Sequence, residues 1–131
     1  MDSINIAKEI ILKDLSNVIA IYVFGSYASG FETEKSDLDL AILLEEKIDK
    51  VKLWNLSQKI AAKTHLEIDL IDLREANTIF AFQIITESKI IHTSDNKKRI
   101  FFENKIDSMY LDLNEMRKGI IEDIKKRKGV Y

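Results

Sequence analysis

The 131-residue chain has room for one domain, which would bury roughly two-thirds of its unfolded-state surface. A hydrophobic content of 46% with 32% charged residues is that of an ordinary soluble domain, and a formal net charge of −2 argues against general polyanion binding. The absence of cysteine excludes disulfides and thiolate metal centres, and two histidines are too few for a histidine-rich one.

Ile6, Ala7, Ile10, Ile11 and Leu15 recur at helical spacing and predict a helix over 4–15, with Ser3 as its N-cap. The apolar run 18–24 (Val-Ile-Ala-Ile-Tyr-Val-Phe) reads as a buried strand. Gly25-Ser26 turns the chain, residues 27–30 suit a short helical turn, and 31–36 form a polar connection. Residues 37–44 read as a second strand, ending near Glu45 and Glu46. Val51, Trp54, Leu56, Ile60 and Ala61 predict a helix over 48–63, and 66–71 reads as a third strand. Asp72 and Glu75 have the spacing of a capping box, which predicts a helix from there to about residue 87. A short strand is expected over 89–93. From Ser94 the pattern is helical to about Lys128, with Ile106, Met109, Leu113, Met116, Ile120 and Ile124 stepping by three and four. Gly119 interrupts that stripe.

These elements divide the chain into an α/β core, residues 1–93, and a helical extension, residues 94–131. The apolar stripe of the extension must be covered. It either folds back on the sheet, or its distal part docks a partner helix or a second copy of the chain. The basic end, Lys125-Lys126-Arg127-Lys128, complements a helix dipole. No apolar run approaches the ~20 residues of a membrane span. Met1-Asp2-Ser3 carries no basic leader region, so the cytoplasm is the expected location.

The chemistry concentrates at Gly25-Ser26 and Asp37-Leu38-Asp39. Alternation along a strand points Asp37 and Asp39 the same way, and two carboxylates on one face call for a cation between them. A glycine-containing turn offers backbone N–H groups to a phosphate. A strand, a Gly-Ser turn and an Asp-x-Asp strand are what a metal–nucleotide site needs. In the third strand Glu67, Asp69 and Ile71 share a face. His65 and His92 sit at element ends and read as surface residues. Tyr22 and Phe24 read as core, and Tyr27 borders the turn.

Gly25-Ser26-Tyr27-Ala28-Ser29-Gly30 followed by Ser36-Asp37-Leu38-Asp39 resembles the signature of the nucleotidyltransferase superfamily that includes DNA polymerase β. The short length and helical tail resemble its minimal nucleotidyltransferase group, whose best-known members are MntA-type antitoxins paired with HEPN-domain toxins. The resemblance implies a palm-like α/β fold, a small mixed sheet flanked by helices. It implies a third acid on a neighbouring strand at Asp69, with Glu67 two residues earlier as the rival. It further implies that Asp37, Asp39 and Asp69 hold two Mg²⁺ ions, roughly 3.5–4 Å apart, which stabilise the attacking and leaving oxygens. Gly25 and Ser26 would then hold the phosphates of ATP. Many members carry Arg or Lys where this chain has Ser29, so a cationic clamp at that position is missing. The implied activity is transfer of AMP from ATP to a tyrosine of a HEPN ribonuclease toxin. The alternatives are an antitoxin that neutralises by docking alone, and a small-molecule nucleotidyltransferase that works as a dimer. Tyr110 and Tyr131 are themselves candidate acceptors.

Overall fold

A computed structural model describes residues 2–33 and 36–127 of the chain, with side chains described as far as Gly119. The first helix, α1 (Ser3–Asp14), is capped by Asp2, whose side chain accepts from the Ile4 N–H at 3.1 Å. Ser3, expected as the cap, is instead the first helical residue. The carboxylate one position earlier takes the orphan amide. Strand β1 (Val18–Phe24) is buried except at its last residue. A single helical turn, α2 (Ser26–Ser29), follows and leads through a connection to β2 (Leu38–Leu44).

Helix α3 (Lys50–Thr64) is capped by Asp49 and ends at His65, which adopts a left-handed conformation at φ 59°. It carries the chain across to β3 (Ile68–Asp72), which pairs parallel with β2. Helix α4 (Thr78–Glu87) starts six residues after Asp72, with Asn77 as its cap. Asp72 is therefore not an N-cap. It ends β3 almost fully buried, and its carboxylate accepts from the Ile48 N–H and the Arg74 N–H, both at 3.1 Å. Its carbonyl accepts from Glu75 and Ala76, closing a turn. Glu75 faces solvent and pairs with Lys47 at 3.4 Å. An Asp-x-x-Glu spacing serves a buried turn as well as a helix start, and here the strand claimed the aspartate. Strand β4 (Lys89–Thr93) and helix α5 (Asn96–Arg127) complete the chain, and α5 runs through Gly119 without a break.

The sheet has the order β3-β2-β1-β4, with β1 antiparallel to both β2 and β4. Strand alternation gives it two apolar faces. One carries Ile21, Val23, Leu40, Ile42 and Leu70 and packs against α1 and α3, through Ala7, Ile11, Leu56 and Ile60. The other carries Ala20, Tyr22, Ala41 and Leu43 and packs against α4 and α5, through Ala81, Ile84, Phe102 and Ile106. Each fully buried Ile or Leu contributes roughly 1.5–3 kcal/mol, so the two faces hold α1–α3 and α4–α5 as separate layers.

The first half of α5 thus folds back on the sheet. A polar contact fixes it there. The Tyr22 hydroxyl donates to Glu103 at 2.8 Å, and Glu103 pairs with Arg99 at the same distance. Farther along, Met109 and Met116 are exposed, so beyond Ile106 the stripe leaves the sheet. The side chains of Ile120 and Ile124 and the basic end through Lys128 lie outside the described residues, as does Tyr131.

Candidate active site

Asp39 has the parity of Ala41 and Leu43, and Asp69 that of Ile71. Both therefore stand on the sheet face that carries α4 and α5. In the registers, Phe24 pairs with Asp39 and Asp39 pairs with Asp69. Phe24, Asp39 and Asp69 form one row across three strands, and Gly25 follows Phe24 directly. The row lies at the C-terminal end of β1 and the N-terminal ends of β2 and β3. Asp37 precedes β2, because the strand begins at Leu38, and its side chain is solvent-exposed. Glu67 lies outside β3. Its carbonyl accepts from the Leu38 N–H at 2.9 Å and its side chain is exposed.

Gly25 has φ 70° and ψ −149°, a backbone region that essentially only glycine enters. A Cβ there would lie 2.1 Å from Asp39 Oδ2, so the carboxylate occupies the space that glycine leaves free. The turn closes through the Gly25 carbonyl, which accepts from Ala28 and Ser29 at 3.1 and 3.2 Å. Ser29 Oγ donates to the Ser26 carbonyl at 3.1 Å, and Gly30 ends the turn in the left-handed region. Ser26 and Tyr27 supply the first amides of this turn, which have no partners within it. The Ser26 hydroxyl makes no hydrogen bond to another described residue.

Burial pushes the Asp39 carboxyl above the usual range, and the charges of Asp69 and then Asp37 push it further. All three acids thus act on one point, and the arrangement is electrostatically unfavourable on its own. An oxygen-seeking divalent cation would relieve it. Among the described residues no three acids or histidines close into a finished cage. Mg²⁺ does not need one, since it keeps waters and takes substrate phosphate oxygens beside one or two carboxylates. Asp39 and Asp69, register partners, fit that partial, all-oxygen donor set, and Asp37 stands exposed just ahead of β2.

A cleft of about 350 Å³ opens on the row, lined by Gly25, Asp39 and Asp69 on the sheet side. Its other wall is α4, with Phe80, Gln83 and Glu87. Phe24 and Phe80 meet edge to face with centroids 6.1 Å apart. The α4 wall was not anticipated from sequence. Its only signal is that Phe80, Gln83, Ile84 and Glu87 fall on one helical face. A second cleft of about 370 Å³ lies at the opposite end of the strands, lined by Ile19, Arg74, Lys97, Phe101 and Lys105. It holds no pair of carboxylates, and the Arg74 guanidinium there sits over the Phe102 ring at 5.3 Å. The row of acids, not this basic cleft, has the makings of metal–nucleotide chemistry.

The comparisons with known proteins agree on the family. Residues 6–97 match the family model for polymerase beta nucleotidyltransferase domains. The protein adenylyltransferase MntA of Shewanella oneidensis is 36% identical over 104 residues, 79% of this chain and 74% of that protein. A crystal structure of a toxin–antitoxin with AMP-PNP superposes with a TM-score of 0.83 at 31% identity, covering 95% of this chain and 98% of the other. The structure of the tri-AMPylated S. oneidensis HEPN toxin in complex with MNT antitoxin gives 0.74 at 30% identity, covering 94% and 98%. The mixed sheet flanked by helices, with its C-terminal helix, is the architecture that the family resemblance implied. No helix among the described residues is long and apolar enough to cross a membrane. Matched over most of its length by sequence and by structure, the chain belongs to the polymerase β nucleotidyltransferase family.

Proposed function

We propose that this chain is a Mg²⁺-dependent protein adenylyltransferase that transfers AMP from ATP to a tyrosine of a HEPN-domain toxin, as the antitoxin of the pair. The observation that carries the reading is the row itself. Asp39 and Asp69 are register partners, and Gly25 stands against the Asp39 carboxylate. The related MntA is named for this activity, and a HEPN toxin AMPylated in complex with its MNT antitoxin is a structural neighbour.

In this reading Asp37, Asp39 and Asp69 hold two Mg²⁺ ions. When bound, the ions neutralise the phosphates and the charge that develops on the attacking and leaving oxygens. The Gly25 turn would admit the triphosphate to the backbone, and the N–H and hydroxyl of Ser26 would hold its β- or γ-phosphate. Asp69 stands at the β3 end of the row, away from Gly25, and would take the proton of the acceptor hydroxyl. The acceptor oxygen attacks the α-phosphorus, the bond from that phosphorus to the β-bridging oxygen breaks, and pyrophosphate leaves. Residues 1–93 are the catalytic core, residues 94–131 are an extension that packs on that core through Phe102 and Ile106 and serves the partner farther along, and the cytoplasm is the place of action.

The test uses two labels. With Mg²⁺ and the partner toxin, label from the α-phosphate of ATP should enter the toxin, and label from the γ-phosphate should leave with pyrophosphate. Retention of the γ-label would make the activity a kinase and overturn the reading. Incorporation of neither, with both proteins folded and bound, would leave a docking antitoxin.

A further inference from the structure

We infer that Gln83 is the residue by which this site selects adenine over guanine, an inference that rests on the adenylyl-transfer reading above. The cleft on the acidic row has an uneven lining. Its sheet side supplies backbone and carboxylates, suited to a metal and phosphates. Its α4 side supplies an aromatic wall, Phe80 braced edge to face by Phe24, and one neutral polar side chain, Gln83. Glu87, one turn farther, is anionic. Gln83 is solvent-facing and makes no hydrogen bond to another described residue, so both halves of its amide are available. A cleft of about 350 Å³ is at the small end of the range for ligand sites and suits a nucleoside-sized group.

The chemistry of a primary amide decides the class of base. Its oxygen accepts and its nitrogen donates, side by side in one plane. Adenine presents the complement on its N7 edge: the N6 amine donates, and N7 beside it accepts. Glutamine therefore meets adenine with two bonds at once. Guanine offers two acceptors, O6 and N7, on the corresponding edge, and a primary amide satisfies only one of them there. Phe80 supplies a face for the base without preference between purines. Phosphates at Gly25-Ser26 would fix the other end of the nucleotide and bring the base toward α4.

The prediction is a change in preference, which a merely structural role would not produce. Binding of ATP and GTP to the full chain with Mg²⁺ is measured for the wild type, Gln83→Ala and Gln83→Glu. The wild type should favour ATP by about tenfold, the value of one good pairing. Gln83→Ala should weaken ATP by about tenfold and leave GTP nearly unchanged. Gln83→Glu adds charge and weakens both nucleotides, so the ratio is the readout. An ionised carboxylate accepts only, so on that edge it keeps the adenine N6 bond and repels the O6 and N7 of guanine, and the preference for ATP should persist. An ATP-to-GTP ratio unchanged in Gln83→Ala, or inverted in Gln83→Glu, with nucleotide still bound, overturns the assignment of Gln83 and leaves the adenylyltransferase reading standing. A wild-type chain that binds neither nucleotide overturns both.

Discussion

Replacing Gly25 by alanine separates two consequences of one residue. The backbone at Gly25 lies at φ 70° and ψ −149°, and holding a non-glycine residue in such a region costs about 1–3 kcal/mol. For a domain of this length that lowers the melting temperature by roughly 5–10 °C. The second consequence is local. The new Cβ would stand 2.1 Å from Asp39 Oδ2, whereas ordinary contact begins near 3.4 Å, so the carboxylate must retreat by more than an ångström. Misplacement of a reacting group by about 1 Å can cost roughly 10²-fold in rate. Gly30 provides the control. It too has positive φ, at 83°, but a Cβ there meets nothing within 4 Å. Gly30→Ala should destabilise by about 1–2 kcal/mol and keep most of the activity. Thermal melts and initial rates of AMP transfer at saturating Mg²⁺ are compared for both variants. Gly25→Ala should lose about a hundredfold in rate, well below Gly30→Ala at matched stability. Equal rates in the two folded variants would show that the seat of Asp39 against Gly25 has no bearing on transfer.

Asp39→Asn should abolish transfer while the fold holds or gains stability. The folded carboxyl titrates above the unfolded value of 3.8, so the native state keeps a proton that the unfolded chain releases. Wild-type stability therefore falls as pH rises from about 4 through the folded pKa. The variant's advantage should grow across that window, plateau above it, and shrink when Mg²⁺ is added, as read by melts at stepped pH. Among Asp69→Asn, Glu67→Gln and Asp72→Asn, the first should kill transfer without unfolding and the second should be near neutral. The third should lower stability by about 1–3 kcal/mol, because the Ile48 and Arg74 amides lose a charged acceptor; a dead Glu67 variant would move the third acid to that position. Tyr22→Phe should cost about 1–2 kcal/mol by denaturant titration, since the hydroxyl donates to Glu103 on α5. It should also remove an alkaline dependence. Burial and then the Glu103 bond raise the Tyr22 pKa far above 10, so wild-type stability falls as pH rises past 10.

Short apolar runs with clear punctuation were legible residue for residue. Strand β1, ending at Gly25, and strand β4, between α4 and Ser94, have the predicted bounds. Asp37 was assigned to a strand that begins at Leu38, because alternation alone does not mark where pairing starts. Asp72 shows the limit of local spacing. Its capping-box pattern is genuine in sequence, but burial beside Ile48 and Arg74 consumed its oxygens and moved the helix start to Thr78. The Gly-Ser and Asp-x-Asp motif pointed to the row because Phe24, Asp39 and Asp69 lie at strand ends that register brings together, with Gly25 following Phe24. The opposite wall, with Phe80 and Gln83, was invisible for the complementary reason. Those residues read as an ordinary amphipathic helix until tertiary packing sets α4 over the row. The stripe of α5 was read correctly as apolar, but periodicity could not say where the sheet ends. Packing does so, burying Ile106 and leaving Met109 exposed.

Transfer of AMP to a protein tyrosine at the Gly25–Asp39–Asp69 row is the step on which the proposed function stands. The most direct measurement is intact-mass spectrometry of the partner HEPN toxin after incubation with ATP, Mg²⁺ and this chain, with peptide mapping of the modified residue. Mass increments of whole AMP units should appear on tyrosine with the wild type, and none with Asp39→Asn at equal complex formation. An unmodified toxin with the wild type, or equal modification by Asp39→Asn, would contradict the proposed function.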